Sequence, residues 1–148
     1  MQPRVSPSHG RNGAGPALSF TQTTILLGTA DTGGEFALVH LHCVRGDEPP
    51  LRRHHREDLV VHVLDGELAF RIDQATHHLG AGATIQVSRG SEHGYALHSA
   101  TADLLILLTP AGAETSLADL HASDSVERMV TIAAHHGIEI TGPPPDLA

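Results

Sequence analysis

The chain has 148 residues, enough for one domain with a real hydrophobic core. Its 15 glycines and nine prolines, set against 3% aromatic residues, suit short strands and turns better than a helical bundle. A formal charge of −8, with all nine basic residues arginine, leaves no basic face for nucleic acid.

Met1 to Ala17 is rich in Pro, Gly, Ser and Asn without periodicity and reads as a disordered arm. Thr21 to Leu27 is β-branched and apolar, a first strand, and Thr29 to Gly34 is turn chemistry. Phe36 to Val44 alternates, with Ala37, Val39, Leu41 and Cys43 on one face and Leu38, His40 and His42 on the other. The single cysteine, Cys43, has no partner for an internal disulfide and reads as a small core residue. Leu59 to Leu64 is a strong strand, and Asp65-Gly66 predicts a hairpin into Glu67 to Ile72. Asp73 to Ala75 turns, Ala83 to Val87 is a strand, and Ser88 to Gly90 turns again. Tyr95 to His98 and Leu104 to Thr109 are further strands, the latter apolar enough for burial on both faces. Strands at this spacing predict an all-β sandwich or barrel.

Beyond Pro110 the pattern becomes helical. Glu114 to Leu120 is a short helix, and Asp124 with Glu127 reads as an N-cap and capping acid. Val126, Met129, Val130 and Ala133 share one helical face, and Gly137 marks the C-terminus. His135 and His136 complement the helix dipole there, and the tail after Gly142 is extended. The expected organisation is an arm at 1–17, a β-barrel at 18–110, and a helical extension with tail at 111–148.

Thirteen histidines make metal binding or proton transfer worth testing. Arg52, Arg53, His54, His55 and Arg56 are consecutive, inside the stretch from Gly46 to Gly66. Such a run is costly on a buried strand unless it lines a cavity for a metal or polar ligand, and otherwise belongs in a solvated loop. His77, His78 and His121 are expected on the surface. There is neither a charged start followed by an apolar run nor a segment long enough to span a bilayer, so a soluble cytoplasmic protein without membrane partners is expected.

Two segments resemble the motifs of the cupin family. In the first, a glycine and five residues precede H-x-H, a nearby Glu and a later Gly; here these positions hold Gly46, Arg52, His54, Leu59 and Gly66. In the second, Gly82 is followed by Ser88-Arg89-Gly90 and His93, with Leu97 where an Asn usually stands. The ending H-G-I-E-I-T-G-P-P is similar to the tail of single-domain bacterial cupins often labelled quercetin-dioxygenase-like. The resemblance implies a double-stranded β-helix, or jelly-roll, barrel that pairs as a homodimer.

It also implies a four-ligand metal site, and here the chain departs from the pattern. His54 and His93 are the two ligands present should a metal bind. Arg52 has no lone pair to donate, and Leu59 replaces an anion with hydrocarbon. Catalytic zinc needs three protein ligands, and non-haem iron uses two histidines with a carboxylate. Glu57 and Asp58 restore a ligand only if the register shifts, and His40, His42, His55 or His62 are the other imidazoles available.

Without metal, the resemblance implies a pocket in which Arg52, His54 and His93 do the chemistry. Leu59, Val61, Val63 and Phe70 line it, and Tyr95, His40 and His62 contact the substrate. The expected function is a metal-independent isomerase, cyclase or dehydratase acting on a small apolar metabolite with an anionic or enolisable oxygen, a chemistry found among natural-product tailoring enzymes. The alternatives are a quercetinase-like dioxygenase with rearranged ligands for Fe, Mn, Ni, Cu or Zn, and a non-catalytic barrel that binds a small molecule.

Overall fold

The computed structural model describes residues 22–116, 119–120 and 123–147; the expected arm at 1–17 and His121 lie outside the described residues. The strands are β1 (Gln22–Leu27), β2 (Ala37–Val44), β3 (Leu51–His54), β4 (Asp58–Asp65), β5 (Leu68–Ile72), β6 (Ala75–Leu79), β7 (Thr84–Val87), β8 (Glu92–Leu97), β9 (Thr101–Thr109) and β10 (Ile138–Gly142). The helices are α1 (Thr29–Thr32) and α2 (Val126–His135), with a 3-10 turn at Ala113–Ser116. The strands form two five-stranded sheets, ordered β1-β2-β9-β4-β7 and β10-β3-β8-β5-β6, with antiparallel pairing throughout. This is the jelly-roll barrel that the resemblance implies.

Period-two alternation decides what lies between the sheets. Val39, Leu41 and Cys43 of β2, Leu59, Val61 and Val63 of β4, and Leu104, Ile106 and Leu108 of β9 meet Leu68, Phe70, Tyr95 and Leu97 from the facing sheet. Each large apolar side chain buried this way contributes about 1.5–3 kcal/mol. The other face of β9 is only half-buried at Leu105 and Leu107, so this strand is not enclosed on both sides as its apolar run predicts.

Asp65-Gly66 is not a hairpin. Strand β4 pairs with β7 and β9, whereas β5 pairs with β6 and β8, so the chain crosses here from one sheet to the other. Gly66 has φ 95°, and a Cβ on it would stand 2.6 Å from the Thr101 carbonyl oxygen and 2.8 Å from the Ala102 Cα. The hairpin turn lies instead at Asp73-Gln74, where Asp73 adopts φ 50° and its Oδ1 accepts from the Glu92 amide at 3.1 Å.

Three strands, β3, β6 and β10, escape a reading by periodicity. Strand β3 contains three of the clustered arginines and histidines, and β10 falls between the expected helix end at Gly137 and the expected tail after Gly142; these two pair with each other. Helix α2 is capped by Ser125, whose side chain accepts from the Arg128 amide at 3.1 Å, one residue after the expected Asp124. Of the expected helix from Glu114 to Leu120, the described residues form the 3-10 turn through Ser116 and α-helix at 119–120. Glu114 is buried there and accepts from the Thr29 amide and hydroxyl at 2.8 and 2.6 Å and from the Gly112 amide at 2.6 Å. Burial raises its carboxyl pKa, but these bonds outweigh burial and hold it below the ordinary value.

Gly66→Ala should destabilise the fold by about 1–3 kcal/mol, because positive-φ strain adds to a backbone clash. Chemical denaturation measures it, and a loss below the strain range would refute the tight corner.

Candidate active site in the barrel interior

Strand β3 is held between β10 and β8, and this pairing turns a basic run into a strand rather than a solvated loop. Alternation sends Arg53 outward, where its Nη1 donates to the Gly90 carbonyl at 2.9 Å and its guanidinium lies 3.8 Å from Glu92. Arg52 and His54 take the opposite face. Arg52 is the register partner of His93 on β8, placing the two in one row across neighbouring strands. His93 and Tyr95 face inward, while Gly94 between them faces outward. There a Cβ would come within 2.9 Å of Leu51 and 3.0 Å of Pro145.

Four rings form a file through the interior. His54 and His93 stack at 5.4 Å, Phe70 lies 6.1 Å from His93, and Tyr95 lies 6.0 Å from Phe70. The Tyr95 hydroxyl contacts the Cys43 sulfur at 3.4 Å. His93 is 1% exposed; its Nδ1 donates to the Ser91 carbonyl at 3.3 Å, and its buried Nε2 has no hydrogen-bond partner among the described residues. His54 is 8% exposed and its Nδ1 lies 2.8 Å from Oε1 of Glu57, itself 2% exposed.

Burial governs the electrostatics. It pushes the His93 pKa down to about 2, with Arg52 and His54 adding to the effect. Burial also lowers His54; the Glu57 hydrogen bond opposes this and Arg52 reinforces it. Tyr95 is raised by burial, and the Cys43 thiol is pushed up to about 11, so it is an unreactive core residue. Burial lowers Arg52, opposed by Tyr95 and Cys43, yet a guanidinium stays charged at neutral pH. Its Nη1 donates to the Pro50 carbonyl at 3.2 Å, and among the described residues no carboxylate pairs with it. The site thus offers a cation beside two neutral imidazoles.

The apolar side chains Leu59, Val61, Val63 and Phe70 lie in the buried core with Tyr95. His40 and His62 do not join them, which corrects the expectation that they contact substrate. Both sit on the outward face of their strands, since Val39 and Leu41, and Val61 and Val63, occupy the inward positions on either side. His40 Nε2 and His42 Nδ1 each lie 3.0 Å from one oxygen of Asp103, and His62 Nδ1 lies 2.7 Å from the Thr84 hydroxyl. His55 is exposed against Glu139 at 2.9 Å. Asp58 is held at the surface, accepting from the Arg89 amide at 2.8 Å. Glu57 is the site residue that sequence reasoning undervalued; its spacing of three from His54 is the signal that finds it.

The donor set does not fit a metal. Arg52 and Leu59 stand at two ligand positions of the family pattern, and Nδ1 of His54 is engaged by Glu57. Among the described residues no three or more His, Cys, Asp or Glu side chains are grouped to hold a metal ion.

A histidine neutral in the fold down to about 2, but with an ordinary value of 6.5 unfolded, leaves the unfolded chain binding the extra proton between those values. Its contribution is therefore fully present above the ordinary value and declines as pH falls. The stability difference between wild type and His93→Gln should change by up to ~1.4 kcal/mol per pH unit below pH 6, against wild type. Urea unfolding at several pH values measures it, and a pH-independent difference would refute a neutral buried His93.

Comparison with known proteins places this geometry. A family model described as Cupin domain matches residues 39–110. KdgF from Halomonas sp. is similar in structure at 16% identity and TM-score 0.65, covering 77% of this chain and 99% of that one. An RmlC-like cupin from Shewanella frigidimarina has 19% identity and TM-score 0.63, covering 77% and 96%. Streptomyces Pac13, described as a nucleoside dehydratase and also solved with uridine, has 12% identity, covering 98% and 95%; the TM-score with the uridine structure is 0.65. No curated protein matches by sequence. The family match and the two-sheet jelly roll together show that this chain carries a cupin domain over residues 39–110.

Proposed function

We propose that this barrel is an acid–base enzyme that works without a metal on a small, largely apolar molecule with an anionic or enolisable oxygen. The observation that carries the reading is the buried Nε2 of His93 beside Arg52: among the described residues the first has no hydrogen-bond partner and the second no carboxylate. A buried polar atom left unsatisfied costs about 1–3 kcal/mol, which a bound ligand would relieve.

In this reading Arg52 holds the anionic oxygen through its planar fork and stabilises charge that develops there. His54 and His93, kept neutral by burial, exchange a proton with the substrate, a contribution of about 10²–10⁴-fold in rate. Phe70, Leu59, Val61 and Val63 supply apolar walls, and Tyr95 orients the substrate. Isomerisation, cyclisation, dehydration and epimerisation are compatible with these groups, and none of them needs a redox centre. The dehydratase description of Pac13 belongs to the same class of reaction.

The test is proton exchange in D2O, followed by NMR, across a panel of small apolar carboxylates, phenols and enolisable ketones, with uridine included. Wild-type protein should label at least one compound beside its oxygen. His93→Ala should lower that rate by about 10²–10⁴-fold with the circular dichroism unchanged. Arg52→Gln should raise KM selectively for the anionic compounds. Equal exchange in His93→Ala would sink the proposal. So would stoichiometric Fe, Mn, Ni, Cu or Zn in protein purified without a histidine tag. Thermal shifts without exchange would favour a binding barrel instead.

A further inference from the structure

Glu57 has no place in the family's ligand pattern, yet it is more deeply buried than His54 and lies at the crossing between β3 and β4. A carboxylate so placed is costly unless hydrogen-bonded. The crossing around it is pinned from three sides. The His54 carbonyl accepts from the Gly90 amide at 2.8 Å, the His55 amide donates to the Gly137 carbonyl at 2.9 Å, and Asp58 accepts from the Arg89 amide at 2.8 Å. Glu57 is thereby held with Oε1 2.8 Å from Nδ1 of His54.

We propose that Glu57 is a positioning residue, locking His54 in the tautomer that carries its proton on Nδ1 and so presenting the bare Nε2 as the basic nitrogen. An ionised carboxylate only accepts hydrogen bonds, so the proton between the two groups belongs to the imidazole nitrogen facing it. The Ser91 carbonyl imposes the same choice on His93, because it too can only accept at Nδ1. Both stacked imidazoles then present Nε2 lone pairs, while Arg52 beside them presents only donors. This deepens, and for its catalytic meaning rests on, the acid–base reading: the matching ligand carries an anionic oxygen for Arg52 and an acidic C–H or O–H for an imidazole.

Two-bond ¹H–¹⁵N NMR on protein labelled in histidine reads each tautomer directly, without substrate. In wild type at pH 7.5, His54 should show protonated Nδ1 and bare Nε2. Glu57→Ala should move the His54 pattern towards protonated Nε2, the form that free imidazole side chains favour in water, while the His93 signals stay in place. Glu57→Gln, which keeps the shape and can still accept through its amide oxygen, should preserve Nδ1 protonation more fully than Glu57→Ala. A wild-type His54 with its proton on Nε2, or doubly protonated, would overturn the assignment. So would an unchanged tautomer in Glu57→Ala with His93 unmoved. If that variant unfolds, the wild-type and Glu57→Gln spectra decide. Nδ1 protonation in wild type, without proton exchange on any compound, would support the role of Glu57 and refute the catalytic reading.

Discussion

The row that Arg52 shares with His93 on adjacent strands sets the demands the remaining structure meets. A charged guanidinium and two imidazoles lie within a barrel whose other inward side chains are almost all apolar. Low local polarity strengthens every electrostatic effect there. It suppresses protonation of His54 and His93, and the fixed charge on Arg52 pushes both in the same direction. Burial and the arginine therefore cooperate to keep both rings uncharged. The apolar lining thus sets the charge state of these rings as well as the stability of the barrel.

The places where the chain passes between sheets control precision. At the β4–β5 crossing, Gly66 lets the backbone lie against Thr101 and Ala102 where any side chain would collide. At the β3–β4 crossing, backbone bonds from Gly90 and to Gly137 hold His54 and its neighbour, and Glu57 turns back onto the ring. The second of these bonds depends on the C-terminal segment, whose strand β10 also gives β3 its second neighbour. The far end of the chain thus shapes the site without contributing a reactive group. Rigid strands carrying a site at their ends are a common way to combine stability with adaptable chemistry.

Set against the family's metal pattern, the site keeps the location and changes the chemistry. Two imidazoles remain where ligands are expected, while a permanent cation and a hydrocarbon occupy the other two positions. A cation there disfavours a metal ion, and in the proposed reading it holds an anionic oxygen instead. Tyr95 and Cys43, both held neutral by burial, continue the wall beyond Phe70.

Much of the barrel was legible in the residues alone, because strand alternation is local. The inward sets Val39, Leu41, Cys43 and Leu59, Val61, Val63 follow from period two, and so does the outward face of His40 and His62 once the sheets close. Motif spacing located Arg52, His54 and His93 before any packing was known. What only the tertiary structure decided was pairing between distant segments. Strand β3 exists because β10, more than eighty residues later, and β8 hydrogen-bond to it. Asp65-Gly66 has ideal hairpin chemistry and became a crossing because its flanking strands found partners in different sheets. Glu57 is a surface-type residue in a charged run, and only the fold of that corner brings its carboxylate inside to His54. Local pattern states which way a side chain faces along its own strand; which groups meet across the barrel is set by contacts that no short window of sequence contains.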